Sequence, residues 1–334
     1  MKSNDRQNQP AMGLDVGTSR VCLAQRAGEA YDFKTQLNAF VTIPFSKITE
    51  GVLTKESIPH SIQGTEIVVH GNEADRLADL LNIETRRTMT RGVLNPVEPE
   101  SLSMMRKIIG SLVEPAQDNQ KLCVTVPAAP LGSEDNLTYH EATLRQILEE
   151  QGYQVKSINE GLAVIYAELE SSNFTGIGIS CGGGLCNVCL AYLSVPVMSF
   201  SIPKAGDYID NSTASVTGER SNRIRLAKED SFHFNGFFGD KLHQVLGVYY
   251  DEMIQSLVQG LKESLAAARN IPKGGRPIPL VLSGGTALPA GFRDRFEKVV
   301  SEQELPIAFS EIRMASDPLH TAAKGALVAA LSDA

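Results

Sequence analysis

Apolar and polar residues alternate along the chain in an order of elements that occurs twice. In the first half, residues 12–26 (MGLDVGTSRVCLAQR) predict a strand, a tight glycine turn and a second strand. An apolar run at residues 121–128 predicts a buried strand, and residues 134–151 predict an amphipathic helix. Residues 160–170, rich in small and apolar side chains, predict a further helix that follows a short strand.

The second half repeats that order. Two strands joined by a glycine turn are predicted between residues 175 and 193, and a third strand follows. A long helix is predicted from about residue 240 to 269, a buried strand over 278–285, a helix and a strand (LPIAFS) after it, and a closing helix over 317–331. Because the halves share the order of elements and not residue identity, the pattern predicts a duplicated α/β domain around a central cleft.

Composition narrows the range of partners and locations. The 334 residues are 42% hydrophobic, enough for two domains, and the net charge is −8. This acidic balance argues against a nucleic-acid partner, which needs clustered Lys and Arg. No apolar run approaches the roughly 20 residues of a membrane span. Residues 1–10 (MKSNDRQNQP) are polar and predict a disordered tail without a signal peptide, so a cytoplasmic location is expected.

The cysteines raise the question of a metal site, because three of them follow a C-x4-C-x2-C spacing. A fourth ligand is not close in sequence, and both flanks have strand patterns, so we interpret these cysteines as small buried strand residues. The five cysteines are Cys22, Cys123, Cys181, Cys186 and Cys189.

Glycine turns at three positions supply candidate chemistry. They are Asp15–Ser19, Gly182–Gly184 and Gly284–Thr286. A glycine turn lets the backbone approach an anion and present several N–H groups to it. The first two turns fit a pair of phosphate clamps on opposite sides of a cleft, and the third, between a buried strand and a helix, fits support of an adenosine. Asp15 fits the water shell of Mg²⁺, although an aspartate that caps a turn would have the same sequence.

These motifs together resemble the actin and 70-kDa heat-shock chaperone ATPase superfamily, most closely bacterial actin-like proteins of the MreB type. The resemblance covers about residues 11–332. The two phosphate loops are matched by GLDVGTS (13–19) and GISCGGGLCNV (178–188). The two connecting helices are matched by INEGLAVIYAEL (158–169) and DPLHTAAKGALVAAL (317–331), and the adenosine motif by LVLSGGTALPAGF (280–292).

The resemblance implies a two-lobed fold with a duplicated ribonuclease-H-like α/β core and a nucleotide cleft between the lobes. Lobe I would be residues 11–160, with a small inserted subdomain at about 45–95. Lobe II would be residues 161–332, with a short inserted subdomain at about 205–238 and a last helix that packs back toward lobe I. The resemblance also implies ATP or ADP with Mg²⁺ as cofactors, and head-to-tail self-association into filaments.

The resemblance implies candidate site residues at the positions that match the family motifs. Glu160 matches the glutamate that orients water for hydrolysis in the MreB branch, although an acid there also suits a helix N-terminus. Asp15 would be its catalytic partner and hold Mg²⁺ through water. Glu219 and Lys228 come from a segment (GERSNRIRLAKED) whose register the sequence leaves open. The candidate nucleotide contacts are Gly13, Gly17, Thr18, Ser19, Arg20, Gly182, Gly183, Gly184, Gly206, Asp207, Glu219, Lys228, Gly284, Gly285 and Thr286.

The chain departs from the family pattern where hydrolysis would be organised. Ser180 stands where the family has an aspartate, Leu185 where it has a threonine, and Gly161 where MreB relatives have a proline. Phosphoryl transfer depends on positioning and electrostatics, so loss of the acid predicts slower turnover rather than lost binding. Whether the chain is an ATPase at all is left open, as is the choice of ATP over GTP.

Two segments suggest surface contacts. The stretch SFHFNGFF (231–238) fits either a buried strand, which we favour, or an exposed patch for a protein partner or a membrane. The basic stretch ETRRTMTR (84–91) predicts a solvated loop or helix, with a role at the inner membrane face as the alternative.

Two functional hypotheses follow. The first is a filament-forming cytoskeletal protein that depends on ATP and Mg²⁺ and has weak ATPase activity. The second is a non-polymerising adaptor of the same fold, which uses ATP as a structural or switching ligand to recruit a partner. A sugar or acetate kinase would also fit the fold, although no polar cluster suited to a carbohydrate stands out.

Overall fold

The computed structural model describes residues 11–117, 120–131, 137–268 and 276–332. The predicted tail at residues 1–10 lies outside these ranges, as do the first residues of the helix expected over 134–151. The strands are β1 (Met12–Val16), β2 (Arg20–Ala27), β3 (Ala30–Leu37), β4 (Ala39–Pro44), β5 (His60–Gln63), β6 (Glu66–His70), β7 (Arg86–Arg87), β8 (Met89–Thr90), β9 (Val93–Leu94), β10 (Lys121–Val126), β11 (Gln154–Asn159), β12 (Gly176–Cys181), β13 (Cys186–Tyr192), β14 (Val195–Ile202), β15 (Ile278–Ser283) and β16 (Phe309–Met314).

The helices alternate with these strands, and two short 3-10 turns lie at Glu170–Ser172 and Gly285–Ala287. The helices are α1 (Lys47–Lys55), α2 (Asn72–Leu81), α3 (Ser101–Leu112), α4 (Thr138–Glu149), α5 (Glu160–Glu168), α6 (Gly206–Thr217), α7 (Ser221–Ser231), α8 (Lys241–Ala267), α9 (Phe292–Ser301) and α10 (Thr321–Ser332).

Two five-stranded sheets of equivalent topology form the cores of the two lobes. The first has the order β11-β10-β1-β2-β3 and the second the order β14-β13-β12-β15-β16. In each sheet the first three strands form an antiparallel meander, and the other two strands extend the sheet in parallel from the first strand of that meander. The predicted duplication is therefore confirmed at the level of strand order and direction.

Helices α5 and α10 connect the lobes and cross at a close contact. Helix α5 follows lobe I but packs on the lobe II sheet, and α10 follows lobe II but packs on the lobe I sheet. A Cβ on Gly325 of α10 would overlap the carbonyl oxygen of Ala163 in α5, so this crossing requires glycine. The alanine-rich composition of α10 has the same cause, since small side chains let backbones approach.

The inserted region of lobe I has its own sheet, β5-β6-β4-β7, covered by α1 and α2. The basic stretch at residues 84–91 belongs to this region, and the expectation of a solvated loop or helix there is wrong. Arg86 and Arg87 form strand β7, and the Arg86 guanidinium stacks 4.6 Å from the Phe40 ring centroid and binds Glu98 at 2.9 Å. Ion pairing and stacking offset the cost of placing these charges in a strand.

The aromatic stretch at residues 231–238 is partly core and partly surface, which corrects the prediction of a buried strand. Phe232 is buried and stacks on Tyr250 at 4.8 Å, whereas Phe237 is fully exposed. The segment lies between α7 and α8, and its backbone is irregular.

Two other strands differ from prediction, one in its first residue and one because no strand was predicted there. Strand β16 begins at Phe309, near the end of the predicted LPIAFS strand, because the parallel register with β15 pairs Ile278 with Phe309. Strand β3 lies in a polar stretch to which no element was assigned, and it pairs with β2 along its whole length. Among the described residues no helix is both long and apolar enough to cross a membrane.

Candidate functional site

A cleft of about 490 Å³ lies between the lobes, at the carboxyl ends of the parallel strands of both sheets. Open α/β sheets place ligand sites at this edge. Asp15 lies near the end of β1, Thr125 near the end of β10, and Glu160 directly follows β11. In lobe II, Ser180 lies near the end of β12 and Gly284 directly follows β15. The duplicated topology therefore brings both sets of strand ends to one cavity.

The first glycine turn joins β1 to β2 and is closed by a hydrogen bond from Gly17 N to Arg20 O at 2.9 Å. Asn38, which is fully buried, supports this turn from outside the cleft. Its side-chain amide donates to Gly17 O at 2.9 Å, and its backbone N–H donates to Ser19 O at 2.9 Å. The turn is thus held rigidly enough to present Thr18 and Ser19 to the cleft.

The second glycine turn approaches the first so closely that only glycine fits. The turn is closed by a hydrogen bond from Gly182 N to Leu185 O at 2.9 Å. A Cβ on Gly183 would overlap the Ser19 hydroxyl, and a Cβ on Gly184 would overlap the Thr18 hydroxyl. The two predicted phosphate clamps therefore do face each other across the cleft.

The third glycine turn braces the second. Gly284 has φ +93°, and a Cβ there would overlap the carbonyl oxygen of Cys181. The hydroxyl of Thr286 donates to Gly182 O at 2.7 Å. Gly206, at the start of α6, donates its backbone N–H to the same oxygen at 3.1 Å, so Gly182 O is shared by two elements.

Two carboxyl groups at the cleft floor have pKa values that burial raises. Desolvation raises the pKa of Asp15 to about 6, against the opposing effect of a hydrogen bond from the Thr125 hydroxyl at 2.5 Å. Desolvation and the nearby Asp15 carboxylate raise the pKa of Glu160 to about 8. A cation between two such groups would favour their charged forms, so their arrangement fits a Mg²⁺ ion with its water shell.

Ser180 contacts Glu160 directly. Its hydroxyl donates to Glu160 Oε2 at 3.2 Å, and the Ser180 side chain is buried. Glu160 opens helix α5, whose N-terminus is capped by the Asn159 side chain through Gly161 N at 2.8 Å. Ser180, which stands where the resemblance implies an aspartate, therefore contacts Glu160, which matches the water-orienting glutamate.

Arg87 is a cleft-side residue that the sequence analysis missed. Its Nη1 donates to Ser19 Oγ at 3.1 Å and to Asp207 Oδ1 at 3.0 Å, which joins the inserted region of lobe I to both lobes. Gly92, a few residues on, donates its N–H to Thr18 Oγ1 at 3.1 Å. The basic stretch at residues 84–91 was the sequence signal for Arg87, but the partners of Arg87, Ser19 and Asp207, lie far away along the chain.

The far end of the cleft is bounded by α7 and α8. Lys228 is buried and binds Asp210 at 2.9 Å, and the ring of Tyr250 closes the cavity behind them. Arg225 forms an ion pair with Asp75 of the other lobe, and Arg20 reaches Glu229 at 3.4 Å. These pairs bridge the two lobes at the edge of the cleft.

Most nominated residues line the cleft, and two do not. Glu219 points along the exposed surface to Arg223 at 3.0 Å, because it follows the left-handed Gly218 that ends α6. Gly13 lies beneath α10, where a Cβ would overlap the Ala323 carbonyl. The nominated residues in the cleft lining are Asp15, Gly17, Thr18, Ser19, Arg20, Glu160, Gly182, Gly183, Gly184, Gly206, Asp207, Lys228, Gly284, Gly285 and Thr286.

Comparison with known proteins places this geometry in a family. The family model described as volactin matches residues 11–330. No curated protein matches the chain.

Solved structures share the fold at low sequence identity. A structure described as the MamK double helical filament has a TM-score of 0.72 and 16% identity, covering 97% of this chain and 99% of that one. A non-polymerising MamK mutant bound to AMPPNP has a TM-score of 0.59 and 18% identity, with the same coverage. These likenesses confirm the predicted two-lobed actin-like fold.

Proposed function

This chain belongs to the volactin family and has the two-lobed actin-like fold, and on that premise we propose that it binds a nucleoside triphosphate with Mg²⁺ in its cleft and assembles into filaments. Hydrolysis at this site would be slow. The observation that carries the proposal is the contact of two opposed glycine turns in a cleft that Asp15 also lines.

The glycine turns support the phosphate part of the proposal. Gly182, Gly183 and Gly184 line the cleft, and a phosphate there could accept hydrogen bonds from backbone N–H groups of the turn. Thr18 and Ser19 add hydroxyl donors from the opposite side. Bound Mg²⁺ would supply charge neutralisation at the phosphates.

The acids support slow hydrolysis. A neutral Ser180 stands beside Glu160 where the resemblance implies an aspartate, so the cleft has one carboxylate fewer to hold Mg²⁺ and the attacking water. The Ser180 hydrogen bond favours the charged form of Glu160, but the serine supplies no negative charge of its own. Positioning of phosphate is thus supported better than activation of water.

Filament formation is supported by the fold and by the MamK structures, one of which is described as a double helical filament and another as a non-polymerising mutant bound to AMPPNP. Two-lobed proteins of this shape can stack head to tail without closing into a ring. The adaptor hypothesis is the second candidate, and the Ser180–Glu160 contact favours it because a ligand that is held and not hydrolysed suits a structural role.

The test of nucleotide binding is a substitution in the second glycine turn. Gly183→Val should abolish the rise in melting temperature that saturating ATP and Mg²⁺ produce, a stabilisation of about 2.7 kcal/mol when ligand is at 100 times Kd. Gly51→Ala is the matched control, since nothing lies within 4 Å of a Cβ there. Equal ATP-induced shifts in both variants would contradict phosphate binding at this turn.

Pelleting and electron microscopy decide between the two candidates. The wild-type protein should form filaments with ATP and Mg²⁺, and Gly183→Val should not. Measurable ATP binding without filaments over a range of salt and nucleotide concentrations would instead favour the adaptor.

A further inference from the structure

Two cysteines face each other at the base of the second glycine turn. Cys181 ends β12, Cys186 begins β13, and the two are register partners in this antiparallel pair. The hydrogen bond from Gly182 N to Leu185 O lies just beyond them, which makes Cys181 and Cys186 a non-hydrogen-bonded pair. Such pairs have the shortest Cα separation of a ladder, about 4.5 Å, with both side chains on the same face.

The thiols are in contact. Cys181 and Cys186 share a side-chain hydrogen bond, and Cys186 Sγ also donates to the carbonyl oxygen of Lys204 at 3.5 Å. Both side chains are fully buried in the lobe II core. The other three cysteines differ in this respect, because Cys22, Cys123 and Cys189 have Asp15, Gly13 and Gly178 as register partners.

The Cα separation of this kind of strand pair and the burial of the two thiols both fit a disulfide. Disulfides form across Cα distances of about 4.4–6.8 Å, a range that includes non-hydrogen-bonded cross-strand pairs. Burial penalises a thiolate but not an uncharged disulfide. The hydrogen bond with Cys181 and desolvation hold the pKa of Cys186 well above its usual range, so the thiolate forms only when the turn opens to water.

The second glycine turn, which joins Cys181 to Cys186, is the route by which an oxidant would reach the thiols. Gly182, Gly183, Gly184 and Leu185 separate the two cysteines and line the cleft, so opening of this segment exposes the thiols to molecules in the cleft. Glycine-rich backbone has the conformational freedom that such local opening requires.

We propose that Cys181 and Cys186 form a dithiol modification site, which a small-molecule disulfide such as oxidised glutathione converts into an intramolecular disulfide beneath the second glycine turn. One cysteine thiolate attacks the S–S bond of the oxidant and releases one glutathione thiolate, leaving a mixed disulfide. The second cysteine attacks the protein sulfur of that mixed disulfide and releases the other glutathione. Two electrons pass to the oxidant, and the two protons of the cysteine thiols go to the released glutathiones.

The modification is read by intact-protein and peptide mass spectrometry after native protein is incubated with oxidised glutathione. We expect a mass loss of two hydrogens, a fall in titratable thiols from five to three on subsequent denaturation, and a peptide linked through Cys181 and Cys186. Five remaining thiols, or glutathione adducts without an internal bond, would overturn the proposal. A bond between any other two cysteines would overturn it as well.

Serine variants separate this pair from the other buried thiols. Cys181→Ser should retain its mass or gain a single glutathione, because the internal bond cannot close. Cys189→Ser is the matched control, since Cys189 is buried in the same strand as Cys186, and it should still lose two hydrogens. Internal disulfide formation in Cys181→Ser, or its loss in Cys189→Ser, would contradict the assignment.

One consequence rests on the proposed function. A nucleotide seated on the second turn should slow disulfide formation by about the factor 1 + [L]/Kd, since it closes the route of entry. An equal oxidation rate with and without ATP, in protein whose melting temperature ATP does raise, would contradict the cleft route. Absence of that temperature shift would instead contradict nucleotide binding, and the mass measurement would stand independently of it.

Discussion

At the scale of single residues, the cleft depends on glycines without side chains and on carboxyls with raised pKa values. Gly183 and Gly184 admit the Ser19 and Thr18 hydroxyls into space that any Cβ would occupy. Asp15 and Glu160 share a desolvated floor that raises the pKa of both carboxyls, and the Asp15 carboxylate further disfavours the charged form of Glu160. The proposed nucleotide and Mg²⁺ would depend on both features, the first for the phosphates and the second for the cation.

The Glu160 carboxyl makes the stability of the nucleotide-free protein depend on pH. Its pKa is raised from 4.5 to about 8 on folding, so the folded state binds more protons than the unfolded state between these values. Its contribution to stability is therefore complete below about pH 4.5 and is lost as pH rises toward 8. Glu160→Gln should flatten the decline of melting temperature between pH 5 and pH 8.5, and an unchanged decline in this variant would contradict the assignment.

Ser180→Asp should increase ATP hydrolysis, because it would restore a charged group beside Glu160 and Asp15, the acids that we propose would orient water and hold Mg²⁺. A positioned acid of this kind is worth about tenfold or more in rate. The same change adds a third carboxyl beside Glu160 and Asp15, so the melting temperature without nucleotide should fall. Ser180→Asn, which has the same size without charge, controls for shape, and an equal rate in both variants would contradict an electrostatic role.

At the scale of elements, two hairpins and two crossing helices determine where the site residues lie. The β1–β2 and β12–β13 hairpins carry the two opposed glycine turns, and α5 and α10 exchange sheets between the lobes. The α5–α10 crossing therefore helps to hold Glu160, the first residue of α5, at the floor of the cleft.

Gly325→Ala should test that crossing. Its Cβ would overlap the backbone carbonyl of Ala163, and overpacking of this kind costs about 1–3 kcal/mol or more. Gly110→Ala in α3 is the control, because nothing lies within 4 Å of a Cβ at this exposed helix position. The control should be neutral or stabilise by up to about 1 kcal/mol, as helix propensity predicts. Chemical denaturation measures both, and equal stability of the two variants would contradict a close crossing.

At the scale of the whole molecule, charged side chains bridge the lobes at the edge of the cleft. Arg87 reaches Asp207, Arg20 reaches Glu229, and Arg225 pairs with Asp75. The Arg225 side chain is only 8% exposed, so its charge depends on that partner. These contacts join the two lobes at the edge of the cleft, and their loss should weaken that connection.

Asp75→Asn should leave Arg225 buried without its main partner. We expect a loss of about 2–3 kcal/mol, less than for a fully isolated charge because Glu229 lies 3.9 Å from Arg225. Nucleotide should also dissociate faster, since a bridge across the cleft is removed. Glu73→Gln on the same helix is the control, because its partner Arg76 is exposed and such pairs contribute about 0–1 kcal/mol. Equal stability and equal dissociation rates in the two variants would contradict a bridging role.

The sequence by itself determined the glycine hairpins of both sheets, the duplication and the positions of the three glycine turns, because hydrophobic periodicity and glycine placement are local signals. It did not indicate β3, which lies in a polar stretch, or the sheet β5-β6-β4-β7. Only the tertiary structure decided the partners of Arg87, the exposed position of Glu219 and the contact of Cys181 with Cys186. It also decided the pKa values of Asp15 and Glu160. These properties depend on burial and on groups distant in sequence, and local patterns carry no record of either.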